Sequence, residues 1–242
     1  MSEGTETTWL EGPAWLELGE GEVHVWRAAL DQRPACRKAL AETLSEDERA
    51  RASRFRSRSA QDRFVVARGI LRNILARYLD LAPAQLRFSD GRHGKPALAE
   101  DMRCRPLHFN LSHSADLVLV AVAPRAVGID VERVRPRTRL DRIAGRMFAA
   151  NEAARLRALP SRERLDMFYR CWTRREALAK AQGEGLRLPL SPFDTAGDSG
   201  DSGSRWTLLD VDAAPGYVAA LAIEGGDAHV RLWDWRLQAD GE

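Results

Sequence analysis

The chain has 242 residues, 44% hydrophobic and 30% charged, enough apolar material for one large or two modest domains with a real core. A formal net charge of +2 gives no bulk field of the kind that gathers nucleic acid or a membrane surface, and the apolar run from Leu117 is far too short to cross a bilayer. Cys36, Cys104 and Cys171 lack metal-ligand spacing and the N-terminus lacks a signal-peptide pattern, so the expectation is a cytoplasmic chain with reduced thiols.

EVHVWRAAL, from Glu22, alternates and predicts a first strand. Ser45 followed by Glu48 has capping-box spacing and opens a helix over LSEDERARASRF. Phe64, Ala67, Leu71, Ile74, Leu75 and Leu79 recur at helical spacing and predict a second helix, stopped by Pro83. RFSDGRHGKPAL reads as a strand, a glycine-rich turn and a partial strand. HFNLSHSADLVLVAVA gives two strands joined at Ser112–Asp116, and another strand opens after a turn at Pro124. Helices are expected over Leu140–Leu159 and Glu163–Gln182, then a polar loop, Asp194–Ser204, and strands in RWTLLDVDA, GYVAALAIE and HVRLWDW. Each half runs strand, helices, strands. The expectation is an α+β fold of two similar halves, 1–124 and 125–242, in a pseudo-twofold arrangement with the active site at their interface.

Two features carry chemistry. In AVGIDVERV, from Ala126, strand alternation puts Asp130 and Glu132 on one side and Ile129 and Val131 on the other. Gly128 lies on the acidic side and leaves room for something bulky to approach the backbone. A bare D-x-E is ordinarily a solvated strand face; here the two carboxylates resist joint ionisation unless a cation sits between them. The second feature is MFYRCWTRREALAKAQGEGL, from Met167. At about 100° per residue, Glu176 falls in the arc of Phe168, Trp172 and Ala179, while Arg170 and Arg174 point elsewhere. The common reading of Glu176 and Lys180, four apart, is a surface salt bridge, but an inward glutamate needs a partner. A third acid converging on Asp130 and Glu132 makes an oxygen cage for Mg²⁺, with Lys180 beside it for a phosphate. Only three of the 37 basic residues are lysines, Lys38, Lys95 and Lys180, which hints that a compact ammonium is needed at these positions.

VGIDVE followed after roughly forty residues by WTRREALAKAQGEGL resembles the signature pair of 4′-phosphopantetheinyl transferases, and GRHGKPAL and FNLSHS match two further blocks in order. The resemblance spans Leu44 to Phe193, with Arg175 where the pattern usually has lysine. The length looks like the monomeric surfactin-synthetase-activating (Sfp-like) type. The resemblance implies transfer of 4′-phosphopantetheine from coenzyme A to a serine of an apo acyl, peptidyl or aryl carrier protein, releasing 3′,5′-ADP. It implies Mg²⁺ held by Asp130, Glu132 and Glu176, with Lys180 on the pyrophosphate. Glu176 is the implied base for the serine proton, with a metal-bound water relaying to Asp130 as the competing route. Lys95 is implied near the adenine, and Ser112, His113 and Arg51 near the 3′-phosphate. Glu152 matches a family acid, or is an exposed early-helix carboxylate. The basic run Arg133–Arg142, with Met147 and Phe148, would meet an acidic carrier protein. Three rivals remain: a degenerate member that binds coenzyme A without transfer, a Mg²⁺-dependent phosphohydrolase or nucleotidyl transferase using the same acids, and a nucleic-acid module built on Arg49–Arg58. The first is weakened by the presence of all three acids and Lys180, and the last by the lack of interleaved aromatics beyond Phe55.

Overall fold

The computed structural model describes residues 8–90, 96–103, 106–136, 140–183 and 205–237. The strands are β1 (Leu10–Glu11), β2 (Glu22–Ala29), β3 (Phe88–Asp90), β4 (Pro96–Leu98), β5 (His108–Ser114), β6 (Leu117–Ala123), β7 (Val127–Arg133), β8 (Trp206–Val211), β9 (Tyr217–Glu224) and β10 (His229–Asp234). The helices are α1 (Pro34–Glu42), α2 (Glu46–Ser53), α3 (Arg58–Leu79), α4 (Leu140–Met147), α5 (Ala150–Ala158) and α6 (Ser161–Gln182). A five-stranded sheet runs β1-β10-β2-β6-β5, a three-stranded sheet runs β7-β9-β8, and β3 and β4 form a separate hairpin.

The all-apolar run from Leu117 becomes β6, whose two faces are both buried. Val118, Val120 and Val122 join the core under α3, with Trp26, Ile70, Ile74 and Tyr78. Leu119, Ala121 and Ala123 join a second core shared with Ile129, Val131, Leu221 and Ile223 of the smaller sheet. A strand covered on both faces reads as continuous rather than alternating hydrophobicity. The five-stranded sheet is thus the middle layer, between α3 and the second sheet.

Local chemistry sets the element ends. Ser45 and Glu48 close the capping box of α2, and the Glu48 carboxylate also accepts from Nε of buried Arg72 at 2.7 Å. Helix α3 ends at Leu79, where the expected helical stretch also ends, capped by Asp80 in the left-handed region (φ 53°), and Pro83 starts a short 3-10 turn. Strand β5 continues through Ser114, so the turn expected over Ser112–Asp116 tightens to Ala115 (φ 50°) and Asp116. The helix expected over Leu140–Leu159 is broken between α4 and α5, where the backbone of Ala149 is extended.

The last described strand does not lie in the half that holds α6. Strand β10 returns to pair in parallel with β2, Trp233 beside Trp26, and so completes the first sheet. The expected division at residues 124 and 125 therefore separates β1–β6 from β7–β9, while β10 crosses it. Arg77 of α3 donates to the carbonyls of Gly12, Pro13 and Arg236, tying both ends of the described chain to one helix.

Candidate active site

Strands β5 and β7 are edges of different sheets, and they run side by side joined by side chains rather than by a backbone ladder. Asn110, Ser112 and Ser114 alternate with Phe109 and Leu111, which face the core, so all three turn toward β7. The Asn110 Oδ1 accepts from the Ile129 N–H at 2.8 Å. The Ser112 hydroxyl donates to Asp130 Oδ1 at 2.8 Å, and the Ser114 hydroxyl donates to Glu132 Oε2 at 2.8 Å.

Helix α6 covers the acidic face of β7. The room left by Gly128 is filled by this helix: a Cβ there would stand 2.0 Å from the Ala177 carbonyl oxygen and 2.5 Å from the Ala181 nitrogen. Earlier along the same face, α6 is fastened to β8, where Arg170 and Arg174 both donate to Asp210. Burial pushes the Asp210 carboxyl up, but the two guanidiniums outweigh it and hold it below its ordinary value. The helix so placed brings Lys180 onto the acid pair. Its Nζ donates to Asp130 Oδ1 at 2.7 Å, Ser112 Oγ at 2.9 Å and the Ile129 carbonyl at 3.1 Å.

The electrostatics are those of an acid excess. Asp130 is 5% exposed, and burial raises its pKa despite the opposing Lys180 ammonium and Ser112 hydroxyl. Glu176, half-buried, is pushed up to about 7 by burial and by the charges of Asp130 and Glu132, with Lys180 pulling the other way. Asp130 Oδ2 is buried and has no hydrogen-bond partner among the described residues. An oxygen-preferring dication fits this donor set in charge and chemistry, because it would satisfy that atom and relieve the repulsion on Glu176. As the side chains stand, no three acid, histidine or cysteine groups among the described residues are gathered closely enough to ligate one ion together.

The remaining expected site residues divide. His113 is exposed on the opposite side of β5 from Ser112, and its imidazole pKa is lowered by partial burial of the ring and by Lys180 and Arg63. Arg63 is a cation the sequence pattern did not single out; it reaches across from α3 to Asp116 at 3.2 Å. Arg51 is not part of the acid cluster. It lines a cleft of about 820 Å³ with Arg54, Arg68, Phe88 and Pro96, its guanidinium 5.6 Å from the Phe64 ring centroid. Lys95 lies outside the described residues.

One of two alternatives falls and one expectation is corrected. Glu152 is not an exposed helix carboxylate: it is fully buried, accepts from the Ala149 N–H at 2.8 Å and is paired with Arg175. Arg175, where the resembled pattern has lysine, thus serves this buried acid. Phe148 is not a surface contact for a partner either; it is 2% exposed and packs against Phe168 with ring centroids 5.4 Å apart. No periodicity marks either outcome, since both depend on how α4, α5 and α6 meet.

A family model described as the 4′-phosphopantetheinyl transferase superfamily matches residues 126–231, and one described as 4′-phosphopantetheinyl transferase, N-terminal, matches residues 31–125. The chain is 40% identical to 4′-phosphopantetheinyl transferase HetI of Nostoc sp. (strain PCC 7120 / SAG 25.82 / UTEX 2576) over 94% of its own length and 98% of that relative's. It is 30% identical to 4′-phosphopantetheinyl transferase Sfp of Bacillus subtilis (strain 168), covering 76% of this chain and 84% of that one. Likeness to 4′-phosphopantetheinyl transferase AcpT of Escherichia coli (strain K12) is 34% over 55% of this chain and 56% of that one. Matches of this extent, running through the strand that carries Asp130 and the helix that carries Lys180, make this chain a member of the 4′-phosphopantetheinyl transferase superfamily.

Proposed function

We propose that this transferase moves 4′-phosphopantetheine from coenzyme A to a serine of an apo acyl, peptidyl or aryl carrier protein, with Mg²⁺ held by Asp130, Glu132 and Glu176. A bond forms between the serine oxygen and the β-phosphorus, the bond from that phosphorus to the bridging oxygen breaks, and 3′,5′-ADP leaves with the electron pair. The serine proton goes to Glu176. The observation that carries this reading is the convergence on Asp130: its Oδ1 accepts from Lys180 and Ser112 while its buried Oδ2 has no hydrogen-bond partner among the described residues, a donor set that suits a dication and a phosphate together. Asp130 is the poorer base: it is nearly fully buried, and its Oδ1 already accepts from both Lys180 and Ser112.

When bound, the cation would neutralise charge building on the phosphate oxygens. Lys180, within reach of Asp130 and Ser112, would place its ammonium on the pyrophosphate. The Arg51 cleft, which Pro96 also lines, suits the nucleotide end of coenzyme A, with His113 toward the 3′-phosphate. Among the described residues no helix is long and apolar enough to cross a membrane.

The test is mass spectrometry of an apo carrier protein incubated with the enzyme, coenzyme A and Mg²⁺. The expected result is a gain of one phosphopantetheine that EDTA abolishes and added Mg²⁺ restores. No gain across fatty-acid, polyketide and nonribosomal-peptide carriers would overturn the reaction, and a gain undiminished by EDTA would overturn the metal.

A further inference from the structure

Ser114 lies one strand repeat beyond Ser112, and its hydroxyl makes two contacts with opposite sense. It donates to Glu132 Oε2 at 2.8 Å and accepts from the Arg133 backbone N–H at 3.1 Å. The backbone N–H occupies a lone pair of the hydroxyl, which leaves its proton to the carboxylate. The Arg133 N–H is therefore the fixed point, the hydroxyl is the link, and one oxygen of Glu132 is the group held. Glu132 is otherwise a long side chain near the end of an edge strand, only half-buried, with three side-chain torsions to settle. Ser112 occupies the equivalent place against Asp130, but that acid is also fixed by Lys180. For Glu132, Ser114 is the side chain that does the holding.

We infer that Ser114 is a positioning residue for the transferase: its hydroxyl, anchored by the Arg133 N–H, fixes the rotamer of Glu132 and thereby presents that carboxylate to the divalent cation. The inference rests on the proposed metal role of Glu132. Groups that orient a metal's ligands without touching the metal commonly account for about ten- to a hundredfold in affinity. Removing the hydroxyl leaves the Arg133 N–H at an exposed strand end, where water replaces the lost acceptor, so the fold is expected to survive.

The experiment is a Mn²⁺ titration of the metal-stripped full chain with coenzyme A present and no carrier protein, followed by electron paramagnetic resonance of free Mn²⁺. Ser114→Ala is expected to weaken Mn²⁺ binding on the order of tenfold. Ser114→Thr keeps the donor and is expected to stay within about twofold of wild type. In a Glu132→Gln background Ser114→Ala is expected to add less than about twofold, because the two residues act as one unit. Wild-type affinity in Ser114→Ala, a tenfold loss in Ser114→Thr, or the full loss reappearing in the Glu132→Gln background would each overturn the inference. A wild-type chain that takes up no Mn²⁺ would instead bring down the metal reading beneath it. Thermal unfolding of each variant identifies any loss that comes from misfolding, and the threonine variant then decides.

Discussion

Glu176 combines a half-buried position with two acidic neighbours, and both properties can be tested on one substitution. Glu176→Gln keeps the shape and hydrogen-bonding reach of the side chain but cannot take a proton. Turnover is expected to fall by about 10²- to 10⁴-fold while coenzyme A still binds, as read by single-turnover kinetics and calorimetry. The same substitution has an opposite effect on stability. Since the Glu176 pKa stands raised from 4.5 to about 7, the folded state keeps a proton that the unfolded chain has already released in that window. Wild-type stability therefore declines as pH rises from about 4.5 through about 7. In EDTA, Glu176→Gln is expected to match wild type at acid pH and to exceed it at pH 8 by on the order of 2 kcal/mol, after allowance for solvent around the group. Thermal unfolding across the range checks this; a wild type that gains on the variant with rising pH would contradict it. The positions of Asp130, Glu132 and Glu176 were legible in the sequence because strand and helix periods fix which way a side chain points. Ser114 and Glu152 were not, because their partners come from other elements and leave no periodic trace.

Helix α6 gives the site its geometry. It is a 22-residue helix whose one face meets Asp210 through Arg170 and Arg174 and Gly128 through Ala177 and Ala181, and so placed it brings Lys180 to Asp130. Gly128→Ala tests the second of these contacts. The added methyl meets backbone atoms of Ala177 and Ala181, which cannot rotate away, so the helix must lift from the strand. The expected cost is about 1–3 kcal/mol of stability, with a loss of turnover larger than thermal destabilisation explains, because Glu176 and Lys180 move with the helix. An unchanged melting temperature together with an unchanged rate would mean that α6 does not lie on β7 as described. Among the elements, α6 was the easiest to read, its aromatic arc and terminal glycine marking length and end. Helix α1 was not anticipated: it is nine residues long, buries only Leu40, and has arginine and lysine on its remaining turns. The break between α4 and α5 was equally hidden, since Phe148 at the junction continues the apolar pattern of the helix before it.

At the scale of the molecule, two sheets share a core while the chain passes between them twice, once from β6 to β7 and again from β9 to β10. The strand character of β10 was legible; its sheet was not, because pairing with β2 joins residues roughly two hundred positions apart and is decided by packing around Trp26 and Trp233. The same arrangement sets the surface offered to a carrier protein. Overall charge is too small to steer an acidic partner, so steering falls to local patches. Past the acid-bearing end of β7, the backbone N–H and carbonyl of Arg135 are both bonded to the Tyr169 hydroxyl of α6. That clamp holds the exposed side chain of Arg135 close to the strand that carries Glu132, and Arg142 is exposed on α4 beyond it. With Phe148 buried, charge rather than apolar contact is left to these residues. Arg135→Glu combined with Arg142→Glu is expected to raise the KM for carrier protein about tenfold or more, in a salt-sensitive way, and to leave the KM for coenzyme A within about twofold. Initial rates against each substrate at low and high ionic strength measure both. If the two KM values rise together, the arginines belong to the coenzyme A site, and an unchanged carrier KM moves the docking surface off α4 altogether.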